Sequence, residues 1–398
     1  MAYDVNELRS RFPALRSGDT VHLDGPAGTQ VPDRVIRAVS EALGRAASNV
    51  GGAFEASQRS EAVVAAARQA GADLVGGSPD EIVFGPNMTT LTLAFSRAVI
   101  RPLQPGDRII LTRIDHDANV APWLLAAREA GVEVDWLDID QETVSLDIGS
   151  LGSLVRPETK LLCISGCSNA FGTLTDLPGV VSALEGTGVR IYVDAVHLVP
   201  HERVDVASLG VDALVCSAYK FYGPHVGMLW ARRDWLDELE PYKVRPAPSE
   251  APGKFETGTP SFALLAGLTA AVDHLSSLGQ GSDRVRRLDD AFVAIREHES
   301  SIGSRFLDSV PPSVTVWGRP TMDGRVTTFA ISVGGHTAGD VAARLGAEGI
   351  AVWAGHYYAV EPMQRLGLLE SGGLVRIGFV NTTTADEVDR LVERLSAL

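Results

Sequence analysis

RIYVDAVH (residues 190–197) and ALVCSAYKFYGPHVGMLWA (residues 213–231) decide how this chain folds. Each opens on a short apolar run and ends in one charged group, Asp194 in the first and Lys220 in the second. Apolar runs of this kind read as strands buried on both faces, the strands of a mostly parallel sheet. Ligands of such sheets sit at the carboxyl ends of the strands, where Asp194 and Lys220 both fall. Lysine is out of place between two tyrosines and ahead of Gly-Pro unless its amine has work there.

Outward from this pair, the rhythm repeats. EIVFG, RIILTR, EVDWLDI and KLLCISG are further strand candidates. Between them lie amphipathic stretches such as MTTLTLAFSRAVI, NVAPWLLAAREAG and LPGVVSALEGTG. Strand and helix in alternation predict an α/β sheet with helices on both faces. Past residue 278 the texture changes to a long helical stretch (roughly 280–308), then SVTVWG, RVTTFAISVG, IAVWAG and LVRIGF, with helices between and after them. We expect residues 18–278 to form a large α/β domain, and residues 1–17 with 279–398 a smaller α+β domain.

At 398 residues, two domains are the natural expectation. A net charge of −15 without a basic stripe argues against nucleic acid. No apolar run is long enough to span a bilayer, and the first residues do not read as a signal peptide. The cysteines, Cys163, Cys167 and Cys216, fall within or beside apolar runs. They are expected to be reduced and buried, which suits a cytoplasmic protein, and they lack the companions of a metal site.

An acid and an amine at neighbouring strand ends are what a pyridoxal phosphate site needs. The lysine forms the Schiff base, and the carboxylate keeps the pyridine nitrogen protonated. Asp194 alone could equally be a helix cap. VDAVHLVPHERVDVASLGVDALVCSAYKFYGPHVGMLW (193–230) resembles the core of the class V aminotransferase family, nearest its cysteine desulfurase and selenocysteine lyase branch. The similarity runs from HLDGPAGTQVP near the start to VRIGFVNTTTADEVDRLV near the end. It implies fold type I: a large domain with a mostly parallel seven-stranded sheet under helices, and a smaller C-terminal α+β domain.

The resemblance also assigns residues. Lys220 becomes the Schiff-base amine and Asp194 the partner of the ring nitrogen. His116, in TRIDHDANVAPW, becomes the ring stacked on the cofactor, where otherwise it would read as a polar loop histidine. Asn169, in ISGCSNAFGT, and His197 would face the phenolic oxygen. Thr89 and Thr90 at the start of a helix would cradle the phosphate together with Ser217 and Tyr219, although such threonines are also ordinary caps. Thr259, in FETGTPS, would reach the phosphate of the opposite subunit, which implies a homodimer. Arg376, in LVRIGFVNTT, would grip a substrate carboxylate through its planar fork, its rival reading being a core ion pair.

The departures bear on the reaction. Cysteine desulfurases carry a persulfide-forming cysteine shortly after Gly-His; here the aligned stretch is AVWAGHYYAVEP (351–362). His356 is kept, Tyr357 follows, and Tyr358 stands where the cysteine would be. Trp353 replaces an arginine of that branch, and Tyr219 replaces its histidine before the lysine. We therefore expect a pyridoxal phosphate enzyme acting on an amino acid by C–S β-elimination, with Tyr358 or His356 serving the leaving group and Trp353, Tyr357 and Tyr358 walling the pocket. The alternative is an aminotransferase or epimerase acting on another amino acid. A non-catalytic binding protein is a third reading, opposed by the joint presence of Lys220, Asp194 and Arg376.

Overall fold

The computed structural model describes residues 3–16, 18–45 and 48–398. Seven strands make the central sheet: β1 (Ile82–Gly85), β2 (Arg108–Thr112), β3 (Glu133–Leu137), β4 (Thr159–Ser165), β5 (Arg190–Asp194), β6 (Ala213–Ser217) and β7 (Gly227–Ala231). They lie in the order β1-β7-β6-β5-β4-β2-β3. Strands β2 to β6 pair in parallel, and β7 runs antiparallel to both of its neighbours. All seven strand candidates of this region are present.

The unbroken apolar runs have a simple cause. Ile110, Leu162, Ile164, Val193 and Leu214 pack into one core layer, while Ile109, Leu111, Leu161, Cys163, Tyr192 and Val215 pack into the layer on the opposite face. Successive side chains point to opposite faces of a strand, so a sheet covered on both sides needs an apolar residue at every position. Helices α1 (Asp33–Gly44) and α2 (Glu55–Val75), which the sequence reading did not single out, pack with α4 (Phe262–Ser276); α3 (Met88–Ile100) packs along β7.

Helix α5 (Arg284–Ser309) leads into a second sheet of β8 (Val314–Trp317), β9 (Thr328–Val333), β10 (Trp353–Gly355) and β11 (Leu374–Gly378), ordered β8-β9-β11-β10 and antiparallel throughout. IAVWAG, read as one strand, is two. Ile350–Ala351 pairs in parallel with Val21–His22, and β10 turns away to pair with β11. Early residues join this part of the molecule as well: the Tyr3 hydroxyl donates to Asn381 O at 2.7 Å, and Arg9 reaches Thr382 O and Glu387. Residues 1, 2 and 17, where the expected domain division falls, lie outside the described residues. No helix among the described residues is long and apolar enough to cross a membrane.

One close approach fixes where α3 begins. A Cβ on Gly227 would lie 2.4 Å from the carbonyl carbon and 2.6 Å from the oxygen of Asn87, the N-cap of α3. Gly227→Ala should therefore push the loop before α3 off β7 and cost about 1–3 kcal/mol, read from urea unfolding. A stability equal to wild type would show that the loop has room to give.

Candidate active site

The carboxyl ends of β4, β5 and β6 open, with β10 and β11 of the second sheet, onto one cavity of about 440 Å³. Thr89, His116, Asn169, Asp194, His197, Tyr219, Lys220, Trp353, His356, Tyr357, Tyr358 and Arg376 all line it. These residues span most of the sequence, and the fold brings them together. Thr90, Ser217 and Thr259 do not line it. Thr90 departs from the expected phosphate cradle, because both its amide and its hydroxyl donate to the cap Asn87, at 2.9 and 3.1 Å. The Ser217 hydroxyl accepts the Met88 amide at 2.9 Å, which ties the start of α3 to the end of β6. Thr259 is exposed.

Asp194 ends β5 and is 4% exposed. Its Oδ1 accepts the Val196 amide at 2.9 Å, and it makes no salt bridge among the described residues. Burial pushes its carboxyl up to about 6, against the pull of the Val196 amide and the Lys220 charge. At neutral pH it is thus an anion without a close cationic partner. Lys220 follows β6 on a short 3₁₀ turn, and its Nζ donates to the carbonyl of Pro26. Burial and then the Arg376 charge bring its amine down to about 7, opposed by Asp194 and Asp24.

His116 precedes a short 3₁₀ turn, and its Nδ1 accepts the Ala118 amide at 3.0 Å. Burial, followed by Lys220 and Arg376, lowers its pKa to about 4, so the ring is neutral and carries its proton on Nε2. Beneath it, Asp115 is anchored by Thr112, by Asn119 at 2.7 Å and by the Ser165 amide at 3.2 Å. Burial raises the Asp115 carboxyl to about 8. His197 is buried against Thr328, with Nε2 2.9 Å from its hydroxyl, and burial holds its ring well below the ordinary histidine range. Next to it His201 meets the buried Glu299 of α5 at 2.7 Å.

Arg376 on β11 lies across from Trp353 of β10 and is 6% exposed. Its Nη1 donates to Asn169 O at 3.0 Å, and its guanidinium carbon sits 4.6 Å from the centre of the Tyr357 ring. No carboxylate forms a salt bridge with it among the described residues, so the core ion-pair reading does not hold. The Tyr357 hydroxyl donates to Leu374 O. Tyr358 stacks on His116 with ring centroids 5.3 Å apart and is 65% exposed. The sequence reading missed Pro26, Asp115 and the His201–Glu299 pair. HLDGPAGTQVP and the acid before His116 were the available signals for the first two; nothing near Glu299 in sequence points to the third.

A class V aminotransferase model matches residues 21–391. The chain is 32% identical to an uncharacterised protein of Mycobacterium tuberculosis (strain CDC 1551 / Oshkosh), over 100% of both chains. It is 30% identical to a cysteine desulfurase of Pectobacterium carotovorum subsp. carotovorum (strain PC1), covering 100% of this chain and 98% of that one. The solved structure of the cysteine desulfurase CsdA (S-sulfonic acid) from Escherichia coli superposes with a TM-score of 0.87 at 26% identity, over 100% of this chain and 98% of that chain. An apo cysteine desulfurase from Thermococcus onnurineus NA1 shares the fold, with a TM-score of 0.90 at 24% identity over 100% and 99% of the two chains.

Fold and site together define an α/β enzyme dependent on pyridoxal phosphate. The chain belongs to the class V aminotransferase family and is cysteine desulfurase-like within it.

The cavity fits that cofactor on its own chemistry. Asp194 is a buried carboxylate whose hydrogen bond from the Val196 amide leaves acceptor capacity for a ring N–H, and Asn169 Oδ1 is a buried acceptor left without a hydrogen bond. In the first turn of α3 the Met88 and Thr90 amides are taken by Ser217 and Asn87, while the Thr89 amide has no acceptor among the described residues and can meet an anion at this helix start.

In cofactor-free protein, the Lys220 amine should react with an amine-selective label as its neutral form appears. The half-maximal rate is expected near pH 7, far below that of an exposed lysine. Because Arg376 lowers this pKa and Asp194 raises it, Arg376→Met should move the midpoint up and Asp194→Asn should move it down. Mass spectrometry of the Lys220 peptide across pH reads the midpoint, and an ordinary lysine value would contradict the assignment.

Proposed function

We propose that the chain catalyses C–S β-elimination on an amino-acid substrate, releasing sulfide or a thiol without passing sulfur to a cysteine. The observation that carries this reading is the segment after β10. By the family resemblance Tyr358 stands where a cysteine is expected, and Cys163, Cys167 and Cys216 are all buried elsewhere. Cys167 does line the cavity, but it is 1% exposed and burial pushes its thiol well above the ordinary range, which opposes a nucleophilic thiolate.

The geometry supports the roles in this reading. Asp194 would hold the N–H of the cofactor ring, His116 would lie against its face, Asn169 and His197 would serve its phenolic oxygen, and Thr89, through its amide, and Tyr219 its phosphate. The chemistry supplied by pyridoxal phosphate when bound is an electron sink for the carbon that loses a proton. Lys220 Nζ, with a pKa of about 7, accepts that proton at neutral pH and can return it. Arg376 orients the α-carboxylate. The Tyr358 hydroxyl, at the mouth of the cavity beside His356, supplies a proton to the departing sulfur. Trp353, 53% exposed and next to Arg376, walls the substrate side.

A large domain of residues 18–278 and a small one of 1–17 with 279–398 form part of this reading, supported by the two separate sheets. A cytoplasmic homodimer, in which the exposed Thr259 reaches the neighbouring phosphate, belongs to it as well.

Purified protein supplied with cysteine, cystine or cysteine sulfoxides should release pyruvate and ammonia, and Lys220→Ala should abolish both this release and the cofactor's near-visible absorbance. Keto acid formed only when an amino acceptor is added would instead identify an aminotransferase. Tyr358→Phe keeps the stack on His116 and removes the hydroxyl. It should lower kcat for elimination by about a hundredfold with KM little changed; an unchanged kcat would leave Tyr358 as a wall alone.

A further inference from the structure

The turn after β10 contains two consecutive non-glycine residues in the left-handed region, Tyr357 at φ 52° and Tyr358 at φ 59°. This conformation is unfavourable for a residue with a Cβ and persists only where its surroundings hold it. The neighbouring loops hold the turn in place. Asn169 Nδ2 donates to Tyr357 O at 3.0 Å, the Asp117 amide donates to Tyr358 O at 2.7 Å, and the Tyr358 amide donates to His356 Nδ1 at 3.1 Å. Ion pairs from Arg113 to Glu361 and from Arg365 to Asp138 fasten the helix that follows.

This conformation turns the Tyr357 ring onto the guanidinium of Arg376. That cation is nearly out of water, and burial lowers its pKa to about 10, with Tyr357 and Asp24 opposing. Its compensation comes from one carbonyl, Asn169 O, and from the π face of Tyr357. A desolvated cation is stabilised more by such a face than an exposed one, and the stack also fixes the plane of the fork. The Tyr357 hydroxyl is committed to Leu374 O on the same strand as Arg376, so ring and guanidinium are referenced to one piece of backbone. Tyr357 therefore has no free hydroxyl to offer a substrate.

We propose that Tyr357 is a positioning residue: its ring holds the Arg376 fork in the plane that receives a free α-carboxylate, and so makes the site selective for α-amino acids over simple amines. This rests on the reading of Arg376 as the carboxylate grip. It assigns Tyr357 a role through Arg376 in place of direct contact with substrate.

The test uses holoenzyme and two unreactive probes, L-alanine and ethylamine, which differ by the carboxylate. Each is titrated against the cofactor's absorbance to give an apparent Kd. Wild type should prefer alanine. Tyr357→Leu keeps a Cβ, and with it the backbone cost, but removes the π face. It should lower the alanine preference by about tenfold or more while leaving ethylamine unmoved, and Tyr357→Phe should restore the preference. Thermal unfolding checks each variant, and Tyr357→Met replaces the leucine variant if that one does not fold.

Equal losses for both probes, or a phenylalanine variant as impaired as the leucine one, would overturn the proposal. Arg376→Leu separates the two layers of the argument. If it leaves the alanine preference intact, the carboxylate-grip reading fails. If it abolishes the preference while Tyr357→Leu does not, the positioning role alone fails.

Discussion

An acid and an amine, the buried Asp194 and the half-buried Lys220, stand at the ends of adjacent parallel strands, and the rest of the molecule is arranged around keeping them there. In water neither group needs help. Inside a cavity each loses hydration, which moves the acid up to about 6 and the amine down to about 7. The two values come to lie close together around neutrality, where a small change in surroundings can move a proton. The sheet makes this possible by supplying strands rigid and apolar enough to end in charge. Ser165, Asp194 and Val215 are in register across three strands, so the ends of the strands are set by backbone pairing and not by the side chains they carry.

The second sheet completes the site from the other side. Arg376 and Trp353 are paired across β10 and β11, and the two tyrosines after β10 reach back to the loops bearing Asn169 and His116. Further contacts join the first sheet's loops to the C-terminal segment, in Thr328 against the cavity residue His197 and in the buried His201–Glu299 pair. A buried carboxylate such as Glu299 is costly to leave unpaired, so this contact also fixes how α5 lies against the turn after β5. The catalytic cavity is a seam whose two walls come from distant parts of the chain.

Family resemblance and local chemistry diverge most at this seam. The fold is that of the cysteine desulfurases, while the turn after β10 carries two aromatic rings, Tyr357 and Tyr358. A fold does not dictate which reaction it hosts, because the group facing the substrate makes that choice. In the proposed reading that group is the Tyr358 phenol, stacked on the His116 imidazole, with the Tyr357 ring against the proposed carboxylate grip.

The sequence alone determined the sheet and its chemistry. Apolar runs ending in Asp194 and Lys220 are local signals, readable because strand burial and strand ends are written in consecutive residues. It also located Arg376 as a charge out of place in an apolar strand, and Tyr358 as a departure from a pattern. Only the tertiary structure decided that Thr90 serves its own helix cap, that Ser217 ties β6 to α3, and that the Tyr357 ring lies against the Arg376 guanidinium. Hydrogen bonds and ring contacts of that kind join residues up to hundreds of positions apart. Their partners are chosen by how two sheets meet, which no local pattern records.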